Sequence, residues 1–191
     1  RLCMRMIIQS RLIVFSDYEC GQQLQEHQKC CRQSGRNYRM SIKGIYDIHC
    51  HIVPGVDDGA TDIGETVKLL RMEYEQGVRT VIATPHFRFR MFETPAEKVR
   101  EQFRRVEKAA SEICPDLHVY LGCEFHANME MLPMLREQKV MTMAGSRYVL
   151  TEFSHNSEES YIRERLGALL SGGYKPIMAH IERYEATRNS L

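Results

Sequence analysis

Five short apolar segments alternate with amphipathic helical patterns from residue 42 onwards. The apolar segments, interpreted as β-strands, span residues 44–50, 78–86, 117–124, 147–153 and 175–180. Strands that alternate with helices in this way predict an α/β fold with parallel strands. The apolar runs inside the strands are continuous, which predicts that both faces of the sheet are buried. The alternation leaves two architectures open, an open doubly wound sheet and a (βα) barrel.

The first predicted helix has sequence signals at both of its ends. Asp62 and Glu65 resemble the start of a capping box, and Gly77 suits the helix end because it adopts positive φ without steric cost. Apolar residues recur between these ends at helical spacing: Ile63, Val67, Leu70 and Tyr74. Three further helices are predicted over residues 95–113, 128–138 and 161–173.

Each predicted strand ends in a side chain that binds divalent metals well. These side chains are His49 and His51 on the first strand, His86, Glu124, Glu152 and His180 on the next four, and Asp57 and Asp58 just beyond the first. Functional groups of parallel α/β folds gather at the carboxyl ends of the strands. The sequence therefore predicts a metal centre at that edge.

The pair His49 and His51 carries this prediction because residues i and i+2 of a strand point to the same side. Both imidazoles would then chelate one ion, with Cys50 directed into the packing between them. Gly59 permits a sharp turn that would bring a carboxylate back over the same ion. Taken singly, such residues are more often surface histidines or solvated carboxylates, so the prediction depends on their occurrence together.

Mixed imidazole and carboxylate ligands suit manganese, iron or zinc and exclude a soft thiolate site. Two or three ions are predicted, which would activate a water and hold a phosphate for displacement. Arg183, three residues after His180, is predicted to hold a phosphoryl oxygen. Its alternative is a solvated charge on a terminal helix. Arg88 and Arg90 are predicted to steer the anion.

Charge, apolar runs and cysteine usage exclude several classes of protein. The net charge of +1 favours neither nucleic acid nor a membrane surface as partner, and no apolar run is long enough to cross a bilayer. Seven cysteines without recurring spacing argue against a disulfide framework, so the cytoplasm is the expected compartment. Residues 1–39 carry seven Lys/Arg against three Asp/Glu and are predicted to be an N-terminal extension, with the functional domain at 40–191.

Five ordered motifs point to a known family: "DIHCHIVPGVDDGATD", "VIATPHF", "LGCEFH", "YVLTEF" and "IMAHIERY". Together they resemble the polymerase-and-histidinol-phosphatase (PHP) superfamily. The closest resemblance is to its CpsB/CapC branch, the manganese-dependent protein-tyrosine phosphatases of bacterial capsule and exopolysaccharide synthesis. It extends from about Ile45 to Tyr184.

The resemblance implies a PHP-type distorted (βα)7 TIM-like barrel, here with about five βα units, and about three metal ions, Mn²⁺ above all, at its C-terminal face. It implies hydrolysis of phosphotyrosine on the tail of a bacterial tyrosine kinase by a metal-activated hydroxide. Arg183 and His86 would be catalytic, and Arg183 and Arg88 would bind substrate. The implied metal ligands are His49, His51, Asp58, His86, Glu124, Glu152 and His180, with Asp58 rather than Asp57 matching the family.

Two departures from the family pattern stand beside this resemblance. Family members continue with further strands and a Ser-Asp-Ala-His type motif, so the domain is expected to be incomplete at its C-terminus. "HIERY" also replaces the more usual His-Pro-Glu-Arg. Two alternatives follow: another PHP phosphoesterase, acting on histidinol phosphate or nucleotides, and an inactive fragment. A thiol phosphatase is rejected, because Cys50 and Cys123 have no arginine-rich phosphate loop around them.

Overall fold

A computed structural model describes residues 13–15 and 44–188 of the chain. The strands in these ranges are β1 (Ile13–Phe15), β2 (Ile45–Cys50), β3 (Val78–Ala83), β4 (His86–Phe87), β5 (His118–Leu121), β6 (Glu124–His126), β7 (Tyr148–Glu152) and β8 (Lys175–Met178). The helices are α1 (Ile63–Glu75), α2 (Ala96–Ile113), α3 (Met131–Arg136), α4 (Glu159–Ser171) and α5 (Glu185–Arg188). Turns of 3₁₀ helix lie at Met143–Gly145 and Ile181–Arg183.

The strands form two four-stranded sheets, in the orders β1-β2-β3-β5 and β4-β6-β7-β8. All pairs are parallel except β1 with β2. The two sheets are continuous with each other at two places, because β3 leads directly into β4 and β5 leads directly into β6. The five predicted strand segments therefore lie side by side in chain order. That order is the one expected of a (βα) barrel wall, whereas a doubly wound sheet reverses direction at a switch point.

The two longest predicted strands, 78–86 and 117–124, are each interrupted, which corrects their predicted extent. The first breaks at Thr84 and Pro85, where proline has no N–H to give to a ladder. The second breaks at Gly122, where a Cβ would lie 2.9 Å from the sulfur of Met143. Hydrogen bonds from Gly122 N to the Ala83 carbonyl (2.7 Å) and from Glu124 N to the Pro85 carbonyl (3.0 Å) connect the two sheets across the breaks.

The fifth predicted strand is also shorter than predicted, since β8 ends at Met178 rather than at residue 180. His180 instead adopts the left-handed conformation, with φ 51°, and begins the 3₁₀ turn Ile181–Arg183. The helix predicted over 128–138 is confined to Met131–Arg136. Helix α2 covers Ala96–Ile113, close to the predicted 95–113.

Helix α1 is capped at both ends by the predicted residues. Asp62 accepts a hydrogen bond from the Glu65 N–H at 2.9 Å, as in a capping box. The Glu65 carboxylate reaches back to Thr61 rather than to Asp62, and accepts from both its N–H and its hydroxyl at 2.9 Å. Gly77 ends the helix with φ 96°. These caps fix the loop that joins β2 to α1.

Apolar side chains from both sheets meet in one small interior cluster. It contains Met143, Leu150 and Ala179, with Ile48, Ile82 and Ile177 packed against them. The members come from β2, β3, β7 and β8 and their flanking turns, so the two sheets face a shared interior. Two larger clusters pack the helices against the outside of the sheets. This is the layering of a barrel wall, although no strand in the described ranges closes β8 onto β1 or β2.

Strand β1 lies within the segment predicted to be an N-terminal extension. Ile13 pairs with Asp47 and Phe15 with Ile45, antiparallel to β2. The predicted boundary near Met40 falls outside the described residues and stays a prediction. No helix in residues 13–15 and 44–188 is long and apolar enough to cross a membrane.

Candidate metal centre

A buried glutamate on β6 lies at the centre of four imidazoles. Oε2 of Glu124 is 2.9 Å from His49 Nε2, 3.1 Å from His51 Nε2 and 3.3 Å from His86 Nδ1. Oε1 of the same carboxylate is 3.0 Å from His180 Nε2. The side chain of Glu124 has no solvent exposure. Four of the five predicted strand ends thus contribute to one cluster around this carboxylate.

The fifth strand end and the loop after β2 complete the rim of this cluster. Glu152 Oε2 lies 3.9 Å from His86 Nδ1, and Asp58 Oδ1 lies 3.7 Å from His86 Nε2. Ligand atoms within 4.8 Å of one another form three overlapping groups here: His49, His51 and Glu124; His51, Asp58 and His86; and His86, Glu124 and Glu152. All seven predicted ligands are therefore brought together, although their coordination of metal remains a prediction.

The histidines neighbouring Glu124 dominate its electrostatics. Burial opposes the negative charge, but hydrogen bonds with His180, His49 and His51 outweigh burial and lower the pKa of Glu124. Burial likewise opposes a charge on His51, yet its contacts with Asp57 and Glu124 raise the pKa of His51 to about 10. His51 is therefore joined to Asp57 and Glu124 by charge-assisted contacts of 2.8 and 3.1 Å.

Glu152 has a different electrostatic environment, because it lies close to a second carboxylate and has few hydrogen-bond donors around it. Burial, together with the negative charge of Glu124, raises its pKa. Its Oε2 is buried without a hydrogen-bond partner among the described residues. Two adjacent buried carboxylates and several imidazoles form a donor set that fits divalent cations, because a bound cation would offset this carboxylate repulsion.

Asp57 orients a ligand instead of facing the cluster itself. Its Oδ2 lies 2.8 Å from His51 Nδ1 and accepts a hydrogen bond from the His86 N–H at 2.9 Å, while its Oδ1 accepts from Gly59 N–H at 3.0 Å. A proton held on Nδ1 by Asp57 leaves Nε2 of His51 directed at the cluster. This role was not predicted from the sequence, where its signal is the adjacent pair of aspartates.

The turn that carries Asp57 requires glycine at position 59. A Cβ there would lie 2.3 Å from the carbonyl oxygen of His51. That carbonyl accepts a hydrogen bond from Ala60 N–H at 3.0 Å, which folds the loop back over the histidines. The predicted sharp turn is confirmed, and close approach of the backbone is its physical reason.

Replacing Asp57 with asparagine is expected to weaken binding of a divalent metal by about 10–100-fold, the usual cost of losing an outer partner of a ligating histidine. The amide removes the negative charge that favours a proton on His51 Nδ1. Titration of the metal-free protein with Mn²⁺ measures the change. Asp62→Asn is the matched control, because asparagine caps a helix as well as aspartate does. Equal affinities for the Asp57 variant and the wild type would contradict the assigned role.

An aromatic ring supports His86 from the other side. The Phe92 ring stacks on the His86 ring, with centroids 5.2 Å apart and planes 9° from parallel. Phe92 is held there by a tight turn, in which Arg88 and Phe92 exchange two backbone hydrogen bonds of 2.8 Å. The sequence offers no signal for this contact, since it depends on the conformation of the turn.

The three predicted anion-binding arginines have different surroundings. Arg88 lies near enough to His126 to add its charge to the effect of burial, and both lower the pKa of His126. Arg90 is exposed at the apex of the turn, with φ 63°. Arg183 is 43% exposed; its N–H donates to the His180 carbonyl at 2.8 Å and its guanidinium faces Glu182 at 3.7 Å. Its predicted contact with substrate phosphate remains a prediction.

Comparison with known proteins identifies similar sequences and similar solved structures. Residues 45–191 match the model of a family described as "Capsular polysaccharide synthesis, CpsB/CapC". Tyrosine-protein phosphatase CpsB of Streptococcus pneumoniae is 42% identical over 146 residues, which are 76% of this chain and 60% of that protein. Tyrosine-protein phosphatase YwqE of Bacillus subtilis (strain 168) is 33% identical over 146 residues, 76% of this chain and 58% of YwqE.

A solved structure supports the same similarity. It comes from crystal structures of YwqE from Bacillus subtilis and CpsB from Streptococcus pneumoniae, described as unique metal-dependent tyrosine phosphatases. It aligns with a TM-score of 0.69 and 33% identity, over 75% of this chain and 58% of the solved chain. The chain thus spans about 60% of the length of the curated relatives that it matches.

Proposed function

Because this chain belongs to the CpsB/CapC family of capsular polysaccharide synthesis, we propose that it acts as a metal-dependent protein-tyrosine phosphatase. The observation that carries the proposal is the Glu124 carboxylate, buried among His49, His51, His86 and His180. One carboxylate surrounded by four imidazoles provides a compact set of ligands for divalent cations.

The proposed cofactor is Mn²⁺, in two or three sites, and the donor set also fits Fe or Zn. A divalent metal bound there would supply an activated water and neutralise charge on the phosphate. The residues proposed to hold it are His49, His51, Asp58, His86, Glu124, Glu152 and His180. Asp57 would keep His51 in the tautomer that presents Nε2 to the cluster.

The proposed substrate is a phosphotyrosine protein, with the tail of a bacterial tyrosine kinase as its source. Arg88, close to the rim formed by Glu152 and His126, would hold a phosphoryl oxygen as its negative charge grows. Arg183 is proposed to do the same from the turn after His180. The cytoplasm is proposed as the compartment, since seven cysteines without recurring spacing argue against a disulfide framework. The domain is proposed to begin near residue 40.

Hydrolysis of a phosphotyrosine peptide by the chain as it stands, loaded with Mn²⁺, tests this function. Histidinol phosphate and a nucleotide monophosphate are assayed in parallel, because they are the substrates of the other PHP phosphoesterases considered above. Preference for the phosphotyrosine peptide would support the proposal. Turnover of histidinol phosphate alone would reject it.

Arg183→Ala is expected to raise the KM for a phosphotyrosine peptide by about 10–100-fold. This is the loss of affinity expected when one charge-assisted hydrogen bond to a phosphate dianion is removed. The affinity for Mn²⁺ should not change, since Arg183 carries no ligand atom. Steady-state kinetics and Mn²⁺ titration measure the two effects separately. Arg163→Ala on the exposed face of α4 is the control. An unchanged KM would assign Arg183 to a solvated ion pair with Glu182.

A further inference from the structure

Tyr184 is a buried tyrosine that contacts the backbone beside two of the proposed ligands. Its side chain is 1% exposed and follows the 3₁₀ turn Ile181–Arg183. The hydroxyl donates a hydrogen bond to the carbonyl of Ala179 and accepts one from the N–H of Phe153 at 3.2 Å. Ala179 immediately precedes His180, and Phe153 immediately follows Glu152. One hydroxyl therefore joins the two chain segments that deliver these ligands.

This contact lies where the regular pairing of β7 with β8 ends. The last strand residue of β8 is Met178, and Ala179 N–H donates to the Thr151 carbonyl at 3.0 Å. The Tyr184 ring packs edge-on against Phe153, with centroids 5.9 Å apart and planes at 87°. The tyrosine thus continues the connection between the two segments past the end of the strand ladder, at residues next in sequence to Glu152 and His180.

His180 needs such support because its backbone is unfavourable for a residue with a side chain. It adopts φ 51° and ψ 39°, the left-handed region that residues other than glycine occupy only when their surroundings hold them there. The peptide before His180 is held by Tyr184 through the Ala179 carbonyl, and the one after it by the Arg183 N–H. In this conformation His180 Nε2 lies 3.0 Å from Glu124 Oε1.

Burial raises the pKa of Tyr184 to about 12, so the hydroxyl keeps its proton at every pH at which such an enzyme would work. A hydroxyl donates one hydrogen bond and accepts others, and here it satisfies a carbonyl and an N–H together. Phenylalanine would leave both of those backbone groups without this partner while retaining the volume of the ring.

We propose that Tyr184 is a positioning residue, which holds His180 and Glu152 at the separation that binding of divalent metal requires. The proposal rests on the proposed function, because it takes both residues to be metal ligands. Tyr184 itself does not contact metal or substrate in this role. Tyr184 would increase the fraction of molecules whose ligands are correctly arranged before the metal binds. Loss of its hydroxyl would therefore weaken metal binding, and excess metal would restore full occupancy.

Mn²⁺ binding to the Y184F variant of the whole chain tests the proposal, with free Mn²⁺ measured by electron paramagnetic resonance. The expected result is an affinity about 10–100-fold below that of the wild type. Circular dichroism of the metal-free proteins shows whether each is folded. Saturating Mn²⁺ should restore the turnover of Y184F to nearly that of the wild type, because the ligands themselves are unchanged.

Y161F is the matched control. Tyr161 also packs edge-on against Phe153, with centroids 6.3 Å apart, and its hydroxyl donates to a backbone carbonyl, that of Ala127, at 3.1 Å. Ala127 is adjacent in sequence to none of the proposed ligands, and the hydrogen bond from its N–H to the Glu152 carbonyl at 2.8 Å involves no side-chain atom that Y161F removes. Affinity lowered in Y184F and kept within about twofold in Y161F would support the proposal, since the outer-partner effect is at least about tenfold.

Three results would overturn the proposal. The first is a Y184F variant that binds Mn²⁺ as tightly as the wild type. The second is an equal loss of affinity in both variants, which would indicate a general effect of removing a buried hydroxyl. A metal-free Y184F that is unfolded, beside a folded Y161F, would show that the hydroxyl supports the whole domain. Separately, a wild-type chain that binds no Mn²⁺ would reject the proposed metal centre and, with it, this inference.

Discussion

Replacing Glu124 with glutamine is expected to abolish binding of Mn²⁺ at micromolar concentrations and to lower phosphatase turnover by at least about a thousandfold, or roughly 4 kcal/mol of transition-state stabilisation. The carboxylate is buried and lies within 3.3 Å of nitrogen atoms of His49, His51, His86 and His180. The amide has no negative charge, and its NH₂ group would point hydrogen atoms at imidazole nitrogens that must face a cation.

Metal titration and turnover are measured on the same preparation, so that loss of binding is separated from loss of chemistry. Glu112→Gln is the control, because that carboxylate is 65% exposed on the outer surface of α2. Glu124→Asp adds a second test, because aspartate keeps the charge on a side chain that is shorter by one methylene. The Glu124→Asp variant should bind metal more weakly than the wild type and more tightly than the Glu124→Gln variant. A Glu124→Gln variant with wild-type metal content would contradict the proposed centre.

The second large effect is expected from removing metal. Treatment with a chelator should abolish phosphatase activity, and added Mn²⁺ should restore it, because every proposed ligand belongs to the imidazole–carboxylate cluster. Alkylation of thiols should leave the activity of the loaded protein unchanged. Cys50, Cys114 and Cys123 are buried, and burial raises the pKa of Cys114 and of Cys123, which disfavours the thiolate that a nucleophile needs.

Mass spectrometry after alkylation counts the modified thiols and serves as the control for reagent access. Metal content is measured at the same time. Complete loss of activity in an alkylated protein that still holds its metal would indicate a cysteine nucleophile and overturn the proposed chemistry. Activity that survives exhaustive chelation would also contradict the proposed metal-dependent chemistry.

The family and the general position of the site could be predicted from the sequence, because both depend on the order of strands and on the residue types at the strand ends. Parallel strands place their carboxyl ends together, so a ligand at each strand end was enough to predict one cluster. The structure brings all seven side chains into it. The predicted resemblance to the CpsB/CapC family is confirmed by the match over residues 45–191 and by the similar solved structure, and the α/β fold with parallel strands is confirmed as well.

What the sequence could not predict depends on single backbone conformations and on contacts between distant segments. The role of Asp57 is determined by which of two adjacent carboxylates the Gly59 turn directs at His51 Nδ1. The strand breaks near Pro85 and Gly122 follow from a missing N–H and from the approach of Met143. The support of His180 by Tyr184 requires a left-handed residue that no periodicity indicates.

The first and last members of the cluster around Glu124, His49 and His180, are separated by 131 positions along the chain (180 − 49). A cation bound there would cross-link segments that strand pairing, packing and the side-chain contacts of Glu124 and Tyr184 already join. Occupancy would then contribute to resistance against unfolding, by about 2.7 kcal/mol at a hundredfold excess over the dissociation constant. Metal supply would thereby affect the thermodynamic stability of the folded chain as well as its proposed catalysis.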